Sequence, residues 1–325
     1  RSGPLRKERM TKRLTFQEAA GAFGELLTQP YHVHKEPVHS VAWNLSGAKL
    51  ASGSADRMAR VWNLDNTGIS KGAELNGHTG GVTQLCWSRT SDSTLATCSE
   101  DKSVRVWDVR QATATSIINT AGENINITWS PDSNYIAVGN KEDVLTVIDT
   151  RKNQPMKLMK FPFEVNEIAW DHGGSFFYLT TGLGQVEVMY FPDMKQVRTL
   201  QAHTASCYCI EFDPSGRYFA TGSADSLVSL WNTAEMTCER TFGMLDSPVR
   251  TVSFSWDSQF VALGSEDEVI NISHVGTGET VHCIPTTGAM NSLAWHPSKY
   301  LLAYAGDDKS RNQAIGIMNV FGFSK

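Results

Sequence analysis

Short runs that alternate polar and apolar residues and end in an aromatic recur along most of the chain: VHSVAW, VTQLCW, NINITW, VNEIAW, CYCIEF, VRTVSF and MNSLAW. Their last residues are Trp43, Trp87, Trp129, Trp170, Phe212, Phe254 and Trp295, at intervals of 41 to 44 residues. A polar turn such as NLSG, SPDS or DPSG follows each run, then a second apolar run such as KLAS, YIAV or YFAT. A third run and a less regular fourth complete each unit. Period-two alternation, β-branched content and turn residues at the boundaries predict strands. Helical spacing is essentially absent from residue 38 onward.

Four short strands per unit of about 42 residues predict an all-β chain, a seven-bladed β-propeller of the WD40 class. Each small sheet leaves faces that only neighbouring blades can cover, so the ring must close. The last unit has its third strand near AIGIMNV, residues 314–320, and too few residues follow for a fourth. The segment YHVH, residues 31–34, is expected to supply that outer strand. The propeller is thus expected over residues 31–325, behind a basic arm and short amphipathic helix in residues 1–30. In TFQEAAGAFGELL, residues 15–27, Thr15 and Glu18 match a capping box, and Phe16, Ala19, Ala20, Phe23, Leu26 and Leu27 follow helical spacing. Such a helix either packs on its own propeller or docks into another protein through Phe16, Phe23, Leu26 and Leu27.

Composition trims the alternatives. With 41% hydrophobic residues the chain can bury a large core. No apolar run reaches the roughly 18 residues of a membrane span, and nothing near the start resembles a secretory segment. A start at Arg1 fits a processed or excised chain. The six cysteines lack CxxC pairs and zinc spacing, so reduced, buried thiols are expected, with Cys207 and Cys209 on one strand face. The sequons at Asn44, Asn126 and Asn271 fall in or beside expected strands, where a glycan has no room. Charge is split: residues 1–13 carry +5, so the remainder of a chain of net −5 carries −10. The arm reads either as a solvated tail or as a nuclear-import or nucleic-acid-contacting segment. An acidic body is a poor platform for a polyanion, so direct RNA binding is expected to be weak at most.

One four-residue set recurs in fixed register. Ser52, Asp56 and Trp62, then Thr97, Asp101 and Trp107, then Thr221, Asp225 and Trp231 share one spacing, and His34, His78 and His203 precede the first-strand aromatics equally. The motifs resemble those of WD40 proteins, which implies that indole N–H, hydroxyl, imidazole and carboxylate form a hydrogen-bonded brace. Ser, His and Asp could also form a hydrolytic triad, but a triad needs one location, an exposed nucleophile and an oxyanion hole. Three copies tied to three tryptophans read as structure. His32 and His34 share a strand face, but no third ligand stands at zinc spacing, so no metal is expected. Gly182 and Gly184 in TTGLGQ lack the context of a dinucleotide loop. No catalytic residue and no cofactor site emerge.

A closer resemblance rests on GENINITWSPDSNYIAVGNKEDVLTVIDTR (122–151), FPFEVNEIAW (161–170), FDPSGRYFATGSADSLVSLW (212–231) and SPVRTVSF (247–254). These passages resemble the THO subunit 3, or Tex-type, family of WD40-repeat subunits of the THO complex. The resemblance implies a nuclear, non-enzymatic subunit acting in transcription-coupled mRNP assembly and mRNA export. The partners it implies are the other THO subunits, chiefly the large helical scaffold subunit, and through them a DEAD-box RNA helicase and mRNA. An alternative comes from LATCSEDKSVRVWDVR, residues 95–110, which matches the WDxR-type box of cullin-ligase substrate receptors, with Trp107, Asp108 and Arg110 as its core.

Overall fold

The computed structural model describes residues 11–65, 68–307 and 316–324. Most of the basic arm, residues 1–10, lies outside the described residues. Seven four-stranded antiparallel sheets follow one another along the chain. Blade one runs from Val38 to Asn76, blade two from Val82 to Asn119, blade three from Asn124 to Lys160 and blade four from Val165 to Gln201. Blade five runs from Cys207 to Phe242 and blade six from Val249 to Pro285, and blade seven begins at Met290. The first strand of each blade touches the first strand of the next, and Met290–Trp295 touches Val38–Trp43, so the ring closes. Second and third strands are buried nearly throughout, because neighbouring blades cover both faces. Outer strands are mostly exposed.

Hydrogen bonds stitch the inner strands across every blade boundary. The Trp43, Trp87 and Trp129 indoles donate to the Ala294, Ala42 and Cys86 carbonyls at 2.9–3.1 Å. The Asn126 and Asn166 amides donate to the Asn166 and Cys207 carbonyls at 2.8 and 3.0 Å. Phe254 N–H donates to Glu211, and Trp295 N–H to Ser253. Each tie satisfies a polar group at the interface between two blades, where an unpaired one would be costly.

A bulge near the start of each inner strand resets its register. It corrects one expectation. Cys207 and Cys209 flank the bulge of blade five, so Cys207 packs toward blade four and Cys209 toward blade six. The extra residue cancels the period-two rule that would place them on one face. Asn44, Asn126 and Asn271 are buried.

Blade seven takes its outer strand from the N-terminal side: Leu26–His34 pairs antiparallel with Gly316–Ser324. The strand is longer than expected and includes Leu26 and Leu27, which corrects their assignment to the helix. The helix spans Phe16–Gly24, and Thr15 and Glu18 form the capping box, with Thr15 N–H donating to Glu18 at 2.9 Å. Phe23 is fully buried, edge-on to Phe260, Tyr300 and Phe321, and Phe16 packs half-buried on the same cluster. Phe23 therefore cannot dock into another protein, because the aromatic cluster of blades six and seven already covers it. Leu26 packs there too, and of the four docking candidates Leu27 is the exposed one. The helix and strand belong with the propeller, so the expected boundary at residue 31 falls inside a strand.

Candidate functional site

All three recurring sets assemble. In blade one the Trp62 indole lies 3.1 Å from Ser52 Oγ, Ser52 lies 2.8 Å from His34 Nε2, and His34 Nδ1 lies 3.0 Å from Asp56. The corresponding distances are 2.9, 2.7 and 2.8 Å for Trp107, Thr97, His78 and Asp101. They are 3.3, 2.9 and 3.2 Å for Trp231, Thr221, His203 and Asp225. The indole can only donate, and that sets the direction of the chain. The hydroxyl accepts from it and donates to Nε2, so Nδ1 carries the proton and donates to the carboxylate. A neutral imidazole satisfies every partner.

Each aspartate also accepts backbone N–H groups from the loop that carries the histidine and from its own turn: Lys35 and Met58 on Asp56, Thr79 and Ser103 on Asp101, Thr204 and Leu227 on Asp225. One carboxylate thereby ties two loops together. Burial opposes its charge, but the hydrogen bonds win: His34 foremost for Asp56 and the Ser103 hydroxyl foremost for Asp101, together with these N–H groups, hold both down to about 2, and Thr204 N–H leads in lowering Asp225. Burial lowers His78 and His203, against the pull of their aspartates, and keeps them neutral.

Hydroxyl, Nε2, Nδ1 and carboxylate follow one another in the same order as in a hydrolytic triad. Access is what differs. Ser52, Thr97 and Thr221 are fully buried, and each oxygen already accepts an indole N–H. No substrate carbonyl can reach such an oxygen, so the sets hold turns in place.

The ligase-box residues lie at the end of one strand. Trp107 is buried in the brace, while the exposed Arg110 guanidinium folds back on Asp108 at 2.6 Å. Asp149 and Arg151 repeat that pair in blade three at 2.9 Å. The same pairing in a neighbouring blade marks it as a turn brace.

Sequence reasoning missed the channel carboxylates. Burial pushes Glu167 and Glu211 up to about 7, against hydrogen bonds from Ile168 N–H and Gln84 to the first and from Phe254 N–H and Ser253 to the second. Gln84 reaches past blade three, and its amide donates to Glu167 at 2.8 Å. In the sequence both glutamates look like ordinary polar positions of alternating strands. Only the closed ring reveals them as channel residues. Among the described residues no cluster of His, Cys, Asp or Glu is arranged to hold a metal, and no helix is long and apolar enough to cross a membrane.

The face that carries the histidine loops and aspartate turns is the acidic one. Among the described residues its loops and turns hold fourteen carboxylates and four lysines or arginines, against eight and six on the opposite face.

Comparison with known proteins agrees with this architecture. The family model described as the THOC3 beta-propeller domain matches residues 34–305. THO complex subunit 3 of Arabidopsis thaliana is 53% identical over 311 residues, covering 94% of this chain and 99% of that protein. WD repeat-containing protein AAC3 of Dictyostelium discoideum is 37% identical over 330 residues, covering 94% and 69%. Protein TEX1 of Saccharomyces cerevisiae is 23% identical over 311 residues, covering 88% and 74%.

Proposed function

The chain belongs to the THO subunit 3 family of WD40 propellers, and from that premise we propose that it is a non-enzymatic interaction subunit of a nuclear THO/TREX-type complex. In that role it serves transcription-coupled mRNP assembly and mRNA export. Its direct partners are the other THO subunits, chiefly the large helical scaffold subunit, and a DEAD-box RNA helicase and mRNA are reached through them. The observation that carries this reading is the family match along nearly the whole propeller. The buried braces support it, since the recurring Ser/Thr, His and Asp side chains are committed to the fold. A ring of seven blades offers rigid loops on two faces and a circumference, a geometry suited to holding several proteins at once.

The test is affinity purification of the tagged full chain from nuclear extract, with mass spectrometry of what co-purifies. THO subunits in near-equal amounts are expected. A cullin adaptor in their place would overturn the reading and favour the ligase box.

A further inference from the structure

Three large apolar side chains stand exposed on the acidic face, in neighbouring turns and loops of blades four to six. Leu183 is 65% exposed in the turn of blade four, Leu227 37% in the turn of blade five, and Met244 48% in the loop between blades five and six. A chain of contacts joins the turns and loops that carry them. Glu164 lies against Gly182 beside Leu183, and Gly184 lies under the backbone carbonyls of His203 and Ala205. Thr204 N–H donates to Asp225 in the turn of Leu227, and Leu227 lies against Gly243 beside Met244. None of the three belongs to the apolar clusters between the blades.

Leu183 is the most informative, because its position in blades one, two and five is the brace aspartate. Blade four does without the brace, so the fold requires nothing of that side chain beyond the turn. A solvated residue would serve the turn as well, and three exposed apolar side chains grouped on one face mark a contact surface. The surroundings say what it contacts. Glu164, Asp246 and Glu268 are exposed around the patch, on the face where carboxylates outnumber cations fourteen to four among the described residues.

We infer that the patch over blades four to six docks a protein segment that presents apolar side chains flanked by lysine or arginine. The apolar contacts hold the segment, and the acidic surround selects its charge and speeds its arrival. The inference rests on the reading of the chain as an assembly subunit, and it specifies where and by what chemistry one partner is held.

The test is reconstitution of the full chain with the other THO subunits, followed by capture on the tagged chain. Substituting Leu183→Ser together with Leu227→Ser is expected to lower capture of one subunit about tenfold while leaving the melting curve unchanged. Leu158→Ser, at a leucine on the outer strand of blade three whose exposure lies between those of Leu183 and Leu227, is expected to capture normally. A photo-reactive residue at position 183 is expected to cross-link a segment of net positive charge. Undiminished capture by the double variant overturns the inference and leaves the proposed function standing. A cross-linked segment that is acidic, or a cross-link to RNA, overturns it too. If even the unaltered chain captures no THO subunit, the proposed function fails first and takes the inference with it.

Discussion

Blades four and five are neighbours with the same strands, the same turns and opposite chemistry at four matching positions. Blade five places His203, Thr221, Asp225 and Trp231 there, and blade four places Phe161, Leu179, Leu183 and Met189. In blade five the four side chains form one hydrogen-bonded line that ties the turn to the preceding loop. In blade four Phe161, Leu179 and Met189 pack with Leu145 and Val147 of blade three. The backbone shows the same division. After Asp225, Ser226 takes a left-handed conformation at φ 65°, held by Asp225 accepting from Leu227 N–H. After Leu183 no carboxylate is present, and the left-handed position is Gly184 at φ 76°, where glycine has no Cβ to strain. A fully satisfied polar network and a fully apolar packing are both good solutions, whereas half of either leaves a buried group unpaired.

The comparison holds only inside a closed ring, and breaking the ring carries the largest expected effect. A chain beginning at Glu36 loses the strand Leu26–His34 and the helix that covers blades six and seven, and is expected to lose its cooperative melt. A chain beginning at Leu14 keeps both and is expected to melt like the full chain. Calorimetry of the two truncations decides.

Next in size is the turn itself. Gly184→Ala meets a left-handed φ and the carbonyls of His203 and Ala205, at an expected cost of about 3 kcal/mol. Ser226→Ala, at a position already left-handed with a side chain, should change stability by less than about 0.5 kcal/mol. Chemical denaturation of both variants measures the difference.

The blades were legible because their signals are local. Aromatic-ended runs at constant intervals mark the sheets, and the hydroxyl, aspartate and tryptophan of a brace sit at fixed offsets within two strands. Three features stayed hidden because they depend on distant parts of the chain. The spacing of Phe23, Leu26 and Leu27 continues a helix, yet Leu26 and Leu27 pair with Ser324 and Phe323. The bulge that separates Cys207 from Cys209 leaves no residue signature. Glu167 and Glu211 gain their raised pKa values only where blades four and five meet the channel.

Those glutamates and the braces pull stability in opposite directions with pH. Asp56 and Asp101 are depressed to about 2, so their contribution is present above the unfolded carboxylate range near 4 and is lost as pH falls toward 2. His78 and His203 are lowered, so theirs is full above about 6.5 and declines below it. Glu167 and Glu211 are raised to about 7, so they favour the fold at pH 4 and lose that effect as pH rises through 7. Glu211→Gln should therefore raise the melting temperature at pH 8 relative to the parent and lose most of that gain at pH 5. A gain of equal size at both pH values would refute the assignment.

The most direct test compares the two blades at one matched position. Alanine at Asp225 leaves the His203 N–H and two backbone N–H groups without their acceptor, at an expected cost of about 1–3 kcal/mol. Alanine at Leu183 removes an exposed side chain and should change stability by less than about 0.5 kcal/mol. Denaturant unfolding of Asp225→Ala and Leu183→Ala, run side by side, measures that gap. A clear loss at Asp225 with none at Leu183 is the predicted result. Equal losses at both positions would contradict the claim that the brace is a structural tie that blade four replaces by apolar packing.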